Sequence, residues 1–112
     1  RPQRYTKEFI DNNDTFTISF FSPKFKDALA ILGKKSGRDG DKVKESGLTP
    51  LFLEGSTAFR EASIIFLCRK LYQDPLKAKN FINKDLIKEF YPEKDYHTMY
   101  ISEILCVAVH EK

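Results

Sequence analysis

Three segments with the residue pattern of β-strands limit what this chain can fold into. Residues 14–21 alternate between Phe or Ile and Thr or Ser, which predicts a strand with one apolar face. Residues 62–72 have a continuous apolar centre, a pattern typical of a strand that is covered on both faces. Residues 99–109 form the third strand, and five apolar side chains are predicted on one of its faces: Met99, Ile101, Leu105, Val107 and Val109. Because three strands are too few to close a barrel, we expect open sheet edges, which a missing N-terminal part or a partner subunit would cover.

Helices are predicted between these strands. An amphipathic pattern predicts one helix over residues 4–13, and Ser22-Pro23 begins another that we expect to end at Gly33. Shorter helices are expected at three further places: residues 41–47, the region around Phe81, and residues 85–90. The stretch that begins at Leu48 is predicted to be irregular. The whole chain, residues 1–112, is therefore predicted to form one α+β domain, mainly β, with a mostly antiparallel, barrel-like sheet and inserted helices.

Composition and charge narrow the classes of function. Of the 112 residues, 41% are hydrophobic and 31% charged, as in ordinary globular domains. The longest apolar run, residues 104–109, is far shorter than the roughly 20 residues that cross a bilayer, so we expect a soluble, cytoplasmic protein with no membrane partner. The net charge is +3, and the excess lies in residues 1–47, which hold ten Lys and Arg against seven Asp and Glu. A small local excess favours a phosphorylated small ligand over a nucleic acid.

Several kinds of site are excluded by the residues that the sequence lacks. The two Cys and the two His do not have the spacing of zinc ligands, so no metal site is predicted. No phosphate-binding P-loop, dinucleotide fingerprint or nucleophile elbow occurs. Cys68 and Cys106 are predicted to be buried thiols without a disulfide, and most of the ten Phe are predicted to lie in the core.

Two basic segments are candidates for holding a phosphate. Near the start of the first helix, Arg1, Arg4 and the Thr6 hydroxyl can converge on one anion, together with free amide groups of the helix. The loop at residues 34–42 combines glycines with basic side chains, so its backbone can approach phosphate or ribityl oxygens closely. Taken alone, each segment is also compatible with solvated surface charge.

Histidine offers a third candidate. His97, which precedes the last strand, is a proton donor, a hydrogen-bond donor to a reduced ring, or a structural histidine. His110 is expected to be exposed.

Six motifs are spread over nearly the whole chain. They are Arg1-Pro2-Gln3-Arg4-Tyr5-Thr6, Phe16-Thr17-Ile18-Ser19-Phe20-Phe21, Ser36-Gly37-Arg38-Asp39 with Asp41-Lys42, Gly47-Leu48-Thr49-Pro50, Cys68-Arg69-Lys70-Leu71, and residues 95–104. In these motifs and in their order, the sequence resembles the flavoredoxin-type branch of the flavin reductase-like, FMN-binding split-barrel family.

The resemblance implies a Greek-key split barrel that holds FMN noncovalently at the interface of a homodimer. It implies that the FMN phosphate lies near Arg1, Arg4 and Thr6, with Tyr5 as a neighbouring contact. It also places a second set of residues in the flavin site: Ser36, Gly37, Arg38, Asp39 and Lys42. Family members have further strands before the position of Arg1, including a Thr- and Ser-rich segment that contacts the flavin, so we expect this chain to be N-terminally truncated.

The segment before the last strand is similar to the Gly-Asp-His-Thr motif that lies near the flavin and the nicotinamide in flavin reductases. His97 and Thr98 match this motif, whereas Asp95 and Tyr96 stand in place of its Gly and Asp. Because of this departure, the sequence does not decide whether the chain has a nicotinamide site.

Three hypotheses follow. The first is an FMN-dependent oxidoreductase that passes electrons between NADH, NADPH or a protein donor and an acceptor, with His97 as the catalytic candidate. The second is a flavin-binding electron carrier without a nicotinamide site. The third is a dimeric interaction module that has lost flavin.

Overall fold

A three-stranded antiparallel sheet and a β-hairpin form the frame of the molecule. The computed structural model describes residues 1–34, 42–53 and 55–110. The sheet has the order β1-β4-β5, with β1 at Thr15–Phe20, β4 at Ile64–Pro75 and β5 at Thr98–Val109. The hairpin consists of β2 (Pro50–Leu53) and β3 (Ser56–Phe59). The helices are α1 (Tyr5–Asp11), α2 (Lys26–Lys34), α3 (Lys42–Ser46) and α4 (Asp85–Phe90), with 3₁₀ turns at Pro23–Phe25 and Ala78–Asn80.

The α+β class and the antiparallel sheet agree with the sequence prediction. No closed barrel is found among the described residues. The predicted end of a helix at Gly33 is wrong, because α2 continues to Lys34. Gly47 does follow the end of α3, and its φ of +76° is the left-handed conformation that glycine adopts without strain.

The hairpin lies where the sequence predicted irregular chain. Its strands have four residues each, and the buried side chains of β3 are the small ones of Ser56 and Ala58, so no long apolar alternation marks it. Gly55, with φ of +80°, lies in the turn. The Thr15 Oγ1 and Ser56 Oγ atoms are 2.6 Å apart, and the Thr17 hydroxyl donates to the Thr57 carbonyl, so the hairpin packs on the Thr face of β1.

The sheet therefore has two different faces. On the hairpin side, Ile65 packs with Ala58 and Ala62 in the core, and Leu67 is 2% exposed. On the other side, the register sets Ile18 beside Phe66 in an apolar row. The apolar face predicted for β1 exists, but it points away from this core.

Two β-bulges change which residues of β5 share a face. The register shifts between Leu67 and Cys68 and between Lys70 and Tyr72 leave Leu105 and Leu71 without a partner. The predicted set of five on one face is therefore wrong. The bulges place Ile104 on the same face as two of them, Val107 and Val109, and they put the other members, Met99 and Ile101, on the opposite face.

Three predictions about burial also need correction. The strand predicted to be covered on both faces is not: the hairpin buries Ile65 and Leu67 on one face, Ile64 and Phe66 on the other face are only half-buried, and Leu71 and Tyr72 are exposed. Cys68 is buried as predicted, whereas Cys106 is exposed because it lies on the edge strand β5. The phenylalanines are also less buried than predicted, because none of those described belongs to the fully buried set and four are exposed: Phe9, Phe20, Phe52 and Phe90.

Helix α1 is fixed to the sheet through its C-terminal end. The Lys70 ammonium donates to the carbonyl oxygens of Ile10 at 2.7 Å and Asp11 at 3.3 Å, where a cation also complements the helix dipole. The Tyr100 hydroxyl donates to the Asp11 carboxylate at 2.5 Å. Desolvation and this hydrogen bond raise the pKa of Tyr100 to about 12. These contacts set the position of the helix start, which carries Arg4 and Thr6.

Nothing among the described helices is both long and apolar enough to span a membrane.

Replacement of Leu67 tests where the core lies. Leu67→Ala is expected to lower the free energy of unfolding by about 2–5 kcal/mol, because it leaves a cavity beneath the hairpin. Leu71→Ala is the matched control, since Leu71 is 62% exposed and its loss is expected to change stability by at most about 0.5 kcal/mol. Urea unfolding followed by circular dichroism measures both, and equal effects of the two substitutions would contradict this placement of the core.

Candidate functional site

The start of the chain meets the segment between β4 and β5 at one end of the sheet. A backbone hydrogen bond of 2.9 Å from the Leu76 amide to the His97 carbonyl closes this segment at its base. Side chains from both regions gather there, and we call them the arginine–histidine cluster. It consists of Arg1, Tyr91, Asp95 and His97, which contacts join, together with Arg4, whose positive charge lowers the pKa of His97.

Arg1 ties the start of the chain to this segment. Its Nη1 lies 2.8 Å from Oδ2 of Asp95, and its Nη2 donates to the Phe90 carbonyl at 2.6 Å. Its guanidinium carbon also lies 4.9 Å from the centre of the Tyr91 ring, within range of a cation–π interaction. The guanidinium of Arg1 is thus committed to contacts within the chain.

Asp95 is the acidic member of the cluster. Its Oδ2 also accepts from the Gln3 amide at 2.8 Å, and the hydrogen bonds from Gln3 and Arg1 lower the pKa of this carboxyl. Its Oδ1 is buried and has no hydrogen-bond partner among the described residues. The carboxylate, which lies between cationic groups, can therefore accept a further hydrogen bond through Oδ1.

Tyr91 positions His97. The Tyr91 ring is 7% exposed and packs against Phe81 and Tyr96, with ring centroids 5.9 and 5.0 Å away. Its hydroxyl oxygen lies 2.5 Å from Nδ1 of His97. When the phenol donates to Nδ1, the ring proton of a neutral imidazole is on Nε2, where it is available to a ligand.

The cluster favours the neutral form of His97. Partial desolvation lowers the pKa of His97, and the positive charges of the Arg1 and Arg4 guanidinium groups lower it further. Asp95 acts in the opposite direction without reversing the shift. The surroundings of His97 therefore have a positive potential, which suits an anion.

The structure brings together some of the residues predicted for the site. Arg1, Arg4 and His97 belong to one cluster, and Thr6 is exposed on the first turn of α1. The backbone of Tyr5 lies in α1 and that of Lys42 begins α3, but their side chains lie outside the description. The remaining candidates also lie outside the described residues: Ser36, Gly37, Arg38 and Asp39. His110 is exposed, as predicted.

Sequence reasoning missed the parts played by Tyr91 and Gln3. Nothing in the local sequence distinguishes Tyr91 from the other aromatic residues between β4 and β5, and its role follows from contacts across the fold. The signal that existed is the concentration of Phe81, Tyr91 and Tyr96 in a segment otherwise rich in charge.

A surface cavity of about 540 Å³ lies at the opposite end of the sheet, where β1 and β5 end and β4 begins. Of the predicted site residues whose side chains the structure describes, none lines this cavity.

Comparison with known proteins adds one finding. No protein-family model and no curated protein matches the chain. Among solved structures, the chain superposes on flavoredoxin of Desulfovibrio vulgaris (Miyazaki F) with a TM-score of 0.73 and 25% sequence identity. The match covers 99% of this chain and 50% of that one. The chain has the fold of one half of flavoredoxin. The expected resemblance to flavoredoxin-type proteins is confirmed at the level of the fold.

The state of His97 gives a test of the cluster. We expect an NMR titration of the His97 ring to have its midpoint below the roughly 6.5 of an unperturbed histidine. Because the pKa is lowered in the folded protein, the associated stability is present above the unfolded pKa and is lost as the pH falls through the folded value. Arg1→Gln is expected to raise the midpoint by removing a nearby positive charge.

Arg60→Gln is the control, because it makes the same change of charge beside the cavity at the other end of the sheet. A midpoint that moves equally in both variants would show that His97 responds to net charge and not to the cluster.

Proposed function

We propose that the chain supplies the phosphate-binding end of an FMN site in a flavin-dependent redox protein. The observation that carries this proposal is the superposition of 99% of the chain on flavoredoxin. The protein would transfer electrons between a reduced nicotinamide or a protein donor and an acceptor. A homodimer that holds FMN at its interface, as the sequence resemblance implies, belongs to the same proposal.

The residues of the cluster fit a phosphate group. Arg4 is exposed, and its guanidinium has no ion-pair partner in the part of the chain that the structure describes. A guanidinium offers parallel N–H donors that match the oxygens of a phosphate. Thr6, two residues further along α1, adds a hydroxyl donor. Arg1 contributes positive charge, since its donors already serve Asp95 and Phe90.

Each residue then has a role in binding and orientation. Bound FMN would supply the redox chemistry itself. Arg4 and Thr6 hold the phosphate and so fix one end of the cofactor. His97, which Tyr91 orients and the cluster keeps neutral, donates a hydrogen bond from Nε2 to an electron-rich edge of the ligand. Asp95 keeps Arg1 in place beside this site.

A second candidate function is a flavin-binding electron carrier without a nicotinamide site. The contacts of Asp95 and Tyr96 favour this candidate. Asp95 is held by Arg1 and Gln3, and Tyr96 packs on Tyr91. The two positions that depart from the Gly-Asp-His-Thr motif are therefore used for contacts within the chain.

Replacement of Arg4 tests the phosphate site. Arg4→Ala is expected to weaken FMN binding by about 10- to 150-fold, which corresponds to the ~1.5–3 kcal/mol of a charge-assisted hydrogen bond. Fluorescence titration of FMN measures the change. Riboflavin, which lacks the phosphate, is expected to bind the wild type and the variant equally.

Arg60→Ala is the control for nonspecific electrostatics, and it is expected to bind FMN like the wild type. Unchanged FMN affinity in Arg4→Ala would remove Arg4 from the site.

The two candidate functions differ in their electron donors. A protein with a nicotinamide site is expected to reduce bound flavin when NADH or NADPH is added under anaerobic conditions, seen as loss of the flavin absorbance. The carrier is expected to keep this absorbance with NADH and NADPH and to lose it when dithionite is added. Rapid reduction by either nicotinamide would exclude the second candidate.

A further inference from the structure

The cavity of about 540 Å³ at the end of the sheet opposite the arginine–histidine cluster is lined by both polar and apolar side chains. We call it the end cavity. Its polar and charged lining residues are Ser22, Lys24, Arg60, Glu61, Ser63 and His110. Its apolar lining residues are Phe25, Ile64 and Val109. A concave surface of this size, with an apolar wall and a few polar groups, is typical of sites for small molecules.

The end cavity is formed where three strands of the fold begin or end. Ser22 follows the end of β1, Arg60 follows β3, and Ser63 precedes β4. The Ser63 amide donates to the Phe20 carbonyl at 2.7 Å, and the His110 amide donates to the Ser63 carbonyl at 2.9 Å. The backbone of the wall is therefore fixed by the sheet before any ligand binds.

The polar donors of the end cavity are unused within the described part of the chain. The Arg60 guanidinium has no ion pair and no hydrogen bond there, and the hydroxyls of Ser22 and Ser63 have no hydrogen bond. The Lys24 ammonium lies 5.1 Å from the centre of the Phe25 ring and also has no ion pair among these residues. Donors without internal partners that share one concave wall are available to a ligand with acceptor oxygens.

The acid that lines the end cavity is engaged elsewhere. Both oxygens of Glu61 accept from the Thr49 amide at 3.0 Å. Partial burial acts to raise the pKa of Glu61, but the hydrogen bonds from Thr49 and the nearby charge of Arg60 bring it below its ordinary value, so this carboxylate stays charged.

The charge of the wall indicates the charge of the ligand. Lys24 and Arg60 carry two positive charges against the one negative charge of Glu61, which leaves +1 when histidine is counted as neutral. A single positive charge balances a monoanion, whereas a doubly charged phosphate would remain half uncompensated.

We propose that the end cavity binds a small monocarboxylic acid with an apolar body. The planar N–H fork of Arg60 matches the two oxygens of a carboxylate. The Lys24 ammonium adds a second cationic donor on the same wall. The apolar body lies against Phe25, Ile64 and Val109, where its burial adds to the affinity.

This site is separate from the proposed cofactor site. Ile64 lines the end cavity, while the other end of β4 leads to Leu76, whose amide bonds to the carbonyl of His97. The 12 residues of β4 span roughly 36 Å between the two ends. An acid in the end cavity therefore does not touch a ligand at the arginine–histidine cluster, and the inference does not depend on the proposed function.

The test is an NMR titration of the full chain with phenylacetate as the probe, because backbone amide signals show where the acid binds. We expect saturable shifts at Ser22, Arg60, Ser63 and His110, and none of comparable size at His97. Phenylacetamide, which keeps the ring but carries no charge, is expected not to bind. Acetate has the charge without the apolar body, and inorganic phosphate also lacks that body, so both are expected to bind at least about tenfold more weakly than phenylacetate.

Substitutions in the wall test the role of the two cations. Arg60→Gln is expected to weaken the binding of phenylacetate about tenfold or more, since it removes charge-assisted hydrogen bonds. Lys24→Gln is expected to weaken it several-fold. The matched control is Lys88→Gln, which makes the same change of net charge on α4, outside the cavity, and is expected to leave the affinity unchanged. All three side chains are exposed, so we expect the circular dichroism spectra of the variants to match that of the wild type.

Four outcomes would overturn the inference. The first is an absence of shifts at the end cavity with millimolar phenylacetate, or larger shifts at His97. The second is equal weakening by Lys24→Gln and Lys88→Gln, which would show a response to net charge alone. The third is binding of phenylacetamide as tight as that of phenylacetate, which would leave no part for the carboxylate. The fourth is tighter binding of inorganic phosphate, which would make a phosphorylated compound the ligand.

Discussion

The antiparallel pairing of β4 with β5 is the constraint on which the other parts of the structure depend. Both strands have 12 residues, and β4 also pairs with β1 along its first half. This pairing brings the segment between the two strands back to the sheet, so that His97 lies beside Leu76. It also provides Lys70 and Tyr100, which fix α1. The arginine–histidine cluster exists because these two attachments hold the start of the chain and the end of the segment at one place.

Within that frame, an aromatic group connects packing to electrostatics. Tyr91 is buried among Phe81 and Tyr96, contacts Arg1 through its ring face and reaches His97 through its hydroxyl. One side chain thus positions both a cation and an imidazole. Because a ring with two rotatable bonds is held on several sides, apolar packing fixes the position of Tyr91. The ion pair with Asp95 then holds Arg1 beside that ring.

The sequence predicts the helices and strands of this fold better than it predicts which of their faces are buried. The alternation in residues 14–21 identifies β1, since a period of two is a local property. It does not tell which face is covered, and here the Thr face meets the hairpin while Ile18 and Phe20 stay exposed. The hairpin was missed because small residues such as Ala58 fill its buried positions. Faces on β5 were misassigned because a bulge depends on both strands of a pair, and the sequence pattern of one strand does not contain it.

The candidate site was likewise predicted only in part. Arg1, Arg4 and His97 were predicted from residue type and motif order; in the structure both arginines lie near enough to His97 to lower its pKa, and their roles as site residues stay predictions. The role of Tyr91 and the pairing of Asp95 with Arg1 were not predicted, because both join residues far apart in the chain. A sequence shows which residues are charged, whereas only the tertiary structure shows which group each charged residue pairs with.

At the bulges, which lie at Leu71 in β4 and Leu105 in β5, the alternation of side chains between the two faces of the sheet shifts by one residue. Val107 and Val109 lie on the face of the sheet that points away from the hairpin, whereas Met99 and Ile101, on the other side of the bulge at Leu105, lie on the opposite face. Removal of the unpaired residue would restore a simple alternation and turn one half of β5 over relative to the other. We therefore expect β5 to accept many substitutions at Leu105, whereas an insertion or a deletion there would move the side chains of half the strand to the opposite face.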